Sequence, residues 1–325
     1  MERRSFIKHG ALFGMAPISG YGIKEVEDEP EEVIIERAQD GQPHKGKVLA
    51  AIQPHSDDIP IFAGGTVAKL IKEGYTGYLI RTSNDDHAGR GETIGDVVKN
   101  NEIDNENVAK VLGLQKVYNL NYTNHRMDNV SIQELKARLI FLFRLLQVDT
   151  LITYDPWGHY EENPDHYVTA RAVEAAAWMA GGGRDYPEHF DAGLKPHSVN
   201  EKYYFARGPQ LVNRVVDISE VIDEKVKANR VNITQGPGGE SGANLRKRLA
   251  GENKYLPILG NDDESANLNY IKHFVLDIDS ERLRGVPSDR KIGEPYGLDW
   301  AERFHYIGPK DSHLDKYIEA NAVKR

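Results

Sequence analysis

The stretch from Val48 to Gly65 constrains this chain more than any other. An apolar run, Val48 to Ile52, is long enough for one strand and stops at Gln53-Pro54. Strands buried on both faces of a parallel sheet read as continuous apolar runs rather than alternating ones. Pro54 has no N–H to give a ladder, so the strand ends there. The next four residues hold His55, Asp57 and Asp58, and a small, apolar segment follows. In an open α/β sheet the loop at the carboxyl end of the first strand lies where ligands bind. One imidazole and two carboxylates at that point can hold a divalent cation and leave a carboxylate over for acid–base chemistry. The same residues also suit a polar loop whose aspartates cap the next helix.

A second segment has the same build: an apolar run, Thr150 to Tyr154, then Asp-Pro-Trp157-Gly-His159-Tyr160-Glu-Glu-Asn163-Pro-Asp165-His166, with a helix to follow. Taken together, the two segments resemble the PIG-L/LmbE-like family of metal-dependent deacetylases. That family pairs an Ala/Pro-His-Pro-Asp-Asp motif after its first strand with a His-Pro-Asp-His motif after a later one. The resemblance runs from about Lys47 to Phe304, dense in the first half and patchy from Pro187 to Glu294. It implies a Rossmann-like α/β fold and zinc held by His55, Asp58 and His166. The substrate class it implies is an N-acetylated amino sugar, a GlcNAc-like conjugate.

Three protein ligands with one position left open is the arrangement of catalytic rather than structural zinc. Asp57, next to a ligand, cannot easily reach the same ion in the same geometry, and the family assigns that aspartate as general base. The chain departs from the pattern in places. Ser56 stands for the family's proline, and Asn101 and Asp104 for an Arg and a Glu on the next long helix. Asn163 stands for the first histidine of His-Pro-Asp-His, which serves the oxyanion or the leaving amine. Asn163 can donate to an oxyanion but cannot deliver a proton, so either His159 or Tyr160 or a metal-bound water path is expected to substitute. Asp165 either orients an imidazole or caps the helix. Asp86 in Ser83–His87, and Arg126 and Asp128 in the loop after Leu120, are expected to border the substrate. Tyr160, with Trp157, could form a platform for a sugar ring.

Composition narrows the alternatives. The 325 residues carry a net charge of −9, and three of the basic residues (Arg3, Arg4, Lys8) fall in the first eight, so the rest is more acidic still. Such a balance is a poor match for nucleic acid or an anionic membrane. With no cysteine, a metal must rest on His, Asp or Glu. The chain has no Walker loop and no apolar run long enough to span a membrane. Residues 1–25, opening with Arg3-Arg4-Ser-Phe-Ile-Lys8, resemble a twin-arginine export signal, which implies a periplasmic destination. That route carries folded proteins.

Residues 26–46 read as an acidic and polar linker, and 47–325 as a single domain. Strand–helix alternation from Val48 to about Met179 is the pattern of a doubly wound, mainly parallel sheet. One helix is expected over Ile61–Glu73. Ser131-Ile-Gln-Glu134 is a capping box, and an Ala-rich helix runs from about Pro164. The carboxyl half is irregular, with strands near Lys202–Ala206 and Leu211–Asp217 and a Gly/Pro-rich loop at Gln235–Gly242. Two other readings suit the same residues: an amidase for a different small conjugate, and a sugar-binding protein that has lost turnover.

Overall fold

A computed structural model describes residues 33–310 and 312–323. The expected export signal lies outside them. Eight strands form one sheet: β1 (Ile34–Glu36), β2 (Val48–Gln53), β3 (Thr76–Ser83), β4 (Val117–Tyr122), β5 (Thr150–Tyr154), β6 (Glu201–Phe205), β7 (Arg214–Asp217) and β8 (Ala301–Ile307). Their spatial order is β1-β7-β8-β6-β5-β2-β3-β4. All neighbours pair parallel except across β8, which runs antiparallel to both β6 and β7.

Helices cover both faces. β2 shows why its sequence is apolar throughout: Leu49 and Ala51 enter one core, Ala50 and Ile52 the other, all with no exposure. The first core is closed by α1 (Asp58–Phe62), α2 (Gly64–Lys72), α3 (Ile94–Val111) and the helix Ile222–Val231. The second is closed by α4 (Ile132–Leu146) and α5 (Pro164–Ala180). Ala170, Ala172 and Ala176 of α5 are fully buried, and small side chains of this kind bring a helix axis close to a sheet. Ser131 caps α4 by accepting from the Glu134 N–H.

The single helix expected over Ile61–Glu73 is two, broken at Ala63, whose φ of −139° is not helical. The break serves close packing. A Cβ on Gly65 would lie 2.7 Å from Ile218 Cδ1, and the Gly65 and Thr66 N–H groups at the start of α2 both donate to Glu302.

The stretch read as a linker is partly fold. Ile34–Glu36 is an edge strand, and Glu36 bonds Lys69, Tyr203 and Arg214. Two isoleucines amid acidic residues form too short an apolar signal to show this in the sequence. Leu211–Asp217 is shorter than expected, with pairing confined to Arg214–Asp217. Between β7 and β8 the chain forms several short helices joined by loops, with a π-helical run at Ile271–Ile278. Among the described residues no helix is long and apolar enough to cross a membrane.

The topology fixes where a ligand goes. From β2 the chain builds outward through β3 to β4, then returns to lay β5 against the other side of β2. The strand order reverses there, so the loops leaving β2 and β5 flank a crevice at the carboxyl edge.

Candidate metal centre and catalytic cleft

The β2 end is locked to the helix it precedes. Gln53 accepts from the Ile59 N–H at 2.8 Å and donates to Asn105 at 2.7 Å, both buried. Asp58 opens α1 and turns back, accepting from the His55 N–H at 2.8 Å. From the other loop His166 enters in the first turn of α5, behind Asn163, whose side chain caps that helix through the Asp165 N–H.

His55, Asp58 and His166 are all buried, and one ligand atom from each lies within 4.8 Å of the others. It is the only such group of His, Asp or Glu among the described residues. His55 Nδ1 is 3.0 Å from His166 Nε2 and 3.5 Å from Asp58 Oδ2, and His166 Nε2 is 3.6 Å from Asp58 Oδ1.

A divalent cation fits these residues on two grounds. The donors are two imidazole nitrogens and a carboxylate oxygen, a set that suits zinc. Second, the surroundings favour positive charge. Burial by itself opposes a charged imidazole, yet Asp165 and Asp58 raise the His55 pKa well above its ordinary range.

Each imidazole also has a carboxylate on its far nitrogen. His55 Nε2 lies 3.0 Å from Asp165 Oδ2, and Asp165 is fixed by the His125 and Met127 N–H groups. Of the two readings of Asp165, the structure places it as the imidazole's partner, with capping left to Asn163. On the other side His166 Nδ1 is 3.1 Å from Glu161 Oε1, and Glu161 is gripped by Arg207. Burial would raise the Glu161 pKa, but His166 and Arg207 bring it down to about 2. The Tyr154 ring stacks on His166 at 4.1 Å, and its hydroxyl donates to Asp58 at 2.7 Å.

A cleft of about 230 Å³ opens over the cluster, and the Asp57 carboxylate lines it. Asp57 occupies the cap position of α1 but its side chain caps nothing. Burial first, then the neighbouring Asp58 carboxylate, push its pKa up to about 7. The cleft thus holds a carboxylate of raised pKa that does not cap its helix, beside a metal-type donor set. Asn163 also lines it, with Nδ2 3.4 Å from His166 Nε2.

Other expected site residues fall elsewhere. His159 and Tyr160 are exposed on the outer part of the β5–α5 loop, and neither lines the cleft; Tyr160 is 89% exposed. The His159 N–H donates to the Pro209 carbonyl. Asp86 is a tie between loops, accepting from the Asn124 N–H and from His87. Arg126 and Asp128 are exposed and outside the cleft, because the short helix Met127–Asn129 buries Met127 instead. His125 does line the cleft, in a left-handed conformation (φ 59°).

Tyr154, Glu161, Arg207 and Arg284 were not legible as site residues. The Glu161-Glu162 pair inside the motif loop was a signal for one of them; Arg284 carried none. The departures other than Asn163 are buried and tied to the Ile233–Gln235 segment. Ser56 Oγ donates to Asn101, Gln235 donates to both, and Asp104 holds the Ile233 and Thr234 N–H groups.

A family model described as GlcNAc-PI de-N-acetylase (PIG-L) matches residues 50–177. The chain is 30% identical over 195 residues to the diacetylchitobiose deacetylase of Thermococcus kodakarensis, covering 59% of this chain and 71% of that one. Over 265 residues it is 24% identical to the 1D-myo-inositol 2-acetamido-2-deoxy-alpha-D-glucopyranoside deacetylase of Mycobacterium sp. (strain JLS), covering 65% and 83%. Among solved structures, N,N'-diacetylchitobiose deacetylase from Pyrococcus horikoshii in complex with its inhibitor aligns with a TM-score of 0.60. It is 22% identical and covers 80% of this chain and 84% of that one. GalB, the 4-carboxy-2-hydroxymuconate hydratase of Pseudomonas putida KT2440, aligns at 0.55 with 18% identity, covering 82% and 98%. At these identities the structural likenesses establish the fold.

Proposed function

The chain belongs to the PIG-L family, and on that premise we propose that it is a metal-dependent deacetylase acting on an N-acetylated amino sugar. The observation that carries this reading is the convergence of His55, Asp58 and His166 beneath a cleft lined by Asp57. Those three side chains would hold the ion, with zinc as the metal their chemistry suits. When bound, the ion polarises the acyl carbonyl and lowers the pKa of water.

The chain's own residues do the rest. Asp57 takes the proton of the attacking water. Asn163 Nδ2 donates to the oxygen on which negative charge develops. The amide C–N bond then breaks, and the amine leaves with the proton that Asp57 has gained. His125 is the one imidazole besides the two ligands that lines the cleft among the described residues, so it is the available second donor. Acetate and a free amino sugar are the products. A cleft of about 230 Å³ suits a single sugar ring more than an extended chain.

The test is acetate release from N-acetylglucosamine, diacetylchitobiose and inositol-linked N-acetylglucosamine, with apoprotein reloaded with Zn²⁺ or Co²⁺. Asn163, which cannot carry a proton, motivates a second reading, that of a sugar-binding protein without turnover. Saturable binding with no acetate released would select it. Export is proposed from Arg3-Arg4 and the residues after them. A reporter fused behind residues 1–46 should leave the cytoplasm, and Arg3→Lys with Arg4→Lys should retain it.

A further inference from the structure

Both imidazoles have a carboxylate on the side away from the ligand cluster, hydrogen-bonded at His55 and paired by distance alone at His166. His55 turns Nδ1 to the ligand cluster and Nε2 to Asp165, 3.0 Å away. His166 turns Nε2 to the cluster and Nδ1 to Glu161, 3.1 Å away. A neutral imidazole has one proton, and a carboxylate at one nitrogen keeps it there and leaves the other lone pair for an ion.

The two carboxylates are secured differently. Asp165 is fully buried and held by two backbone N–H groups. Glu161 sits in the β5–α5 loop, where one backbone N–H, that of Asn163, reaches it at 3.0 Å. The rest of its hold comes from another element: Arg207, directly after β6, spans both oxygens, with Nε 3.1 Å from Oε2 and Nη2 on Oε1. Arg207 also lines the cleft. His166 Nδ1 is buried, and Glu161 Oε1 stands 3.1 Å from it as an ion-pair neighbour without hydrogen-bond alignment.

We propose that Glu161 and Arg207 form a positioning pair for the His166 imidazole, with Arg207 extending it to the substrate wall. This rests on the metal-dependent reading above. A plain loop clamp would use the same Glu161–Arg207 contact, but it would not need the carboxylate beside Nδ1, and it would affect folding without affecting the ion.

Chelator competition with Zn²⁺ or Co²⁺ alone separates the two, alongside thermal unfolding of the metal-free protein. Glu161→Gln keeps the shape and removes the charge. It should weaken metal binding about tenfold to a hundredfold, shift the visible spectrum of the Co²⁺ form, and leave metal-free unfolding in place. Arg207→Met should weaken the metal by a smaller factor and raise KM, because it also strips the cleft wall. Metal affinity within twofold of wild type in Glu161→Gln overturns the pair. If Glu161→Gln does not fold, Arg207→Met decides, and unchanged affinity and spectrum there overturn it. The readout does not depend on turnover. Wild type that binds Zn²⁺ but releases no acetate refutes the deacetylase reading alone; wild type that binds neither ion refutes both.

Discussion

Asp57 and Asp58 are adjacent, yet burial and its partners separate their chemistry. Asp58 would be raised by burial, but the two histidines and the Tyr154 hydroxyl hold it down at about 2. For Asp57, burial and the Asp58 charge outweigh the pull of His55, and it sits at about 7. Asp58→Ala should therefore lose the metal. Asp57→Asn should keep it while kcat falls by roughly 10²–10⁴; metal analysis of both variants against their kcat checks the assignment. A base works only when ionised, so kcat/KM should be full at high pH and fall as pH drops through the Asp57 pKa. A cation on the neighbouring ligands pulls that pKa down, which puts the limb at or below about 7 in the loaded enzyme. A pH–rate profile that is flat from 8 to 5 would remove Asp57 from this role. His159→Ala, on the outside of its loop, should leave kcat within about twofold of wild type, whereas His125→Ala should lower it by about tenfold or more if His125 is a second proton donor.

At the scale of elements, what could be read in advance followed from local chemistry. β2 and β5 announce themselves as apolar runs stopped by polar loops, and Ser131 and Glu134 mark the start of α4. His55, Asp58 and His166 were legible because their two loops resemble the family's paired motifs, each loop following an apolar strand. Glu161 was not, since its meaning depends on Arg207, which comes from a different loop. Nor does the sequence show that the helix breaks at Ala63, beside a glycine whose Cβ would clash with Ile218, far away in the chain. The same packing supports a stability prediction. Lys225 has no exposure, and its ammonium bonds Asp289 at 2.7 Å and Glu302 at 2.6 Å. Glu302→Ala removes one of those partners and strands the two N–H groups at the start of α2. Removing one member of a buried ionic network costs about 3–5 kcal/mol, so a denaturant titration should show a midpoint well below that of wild type.

For the whole molecule, β8 is the strand on which the sheet depends. It lies between β6 and β7, so the backbone ladder joins β1 and β7 to the other five strands only through it. The termini differ in weight. The helix His313–Asn321 buries no residue, and truncation after Gly308 should leave the melting temperature within about 2 °C. Starting the chain at Lys47 removes Glu36 from Lys69, Tyr203 and Arg214. Hydrogen bonds to charged groups contribute about 1.5–3 kcal/mol each, so that truncation should lower the melting temperature clearly.

The place of β8 also sets an order in time. A ribosome releases β1 first, but β1 pairs only with β7, and β7 joins the rest of the backbone ladder only through Ala301–Ile307, near the end of the chain. At about 5–20 residues per second, the first strand waits on the order of ten seconds to a minute for its place. β2, β3, β4, β5 and β6 can assemble meanwhile, bringing His55, Asp58 and His166 together before the sheet is complete. During that interval the nascent chain has an open edge on β6, and the step that closes it is the arrival of the last strand.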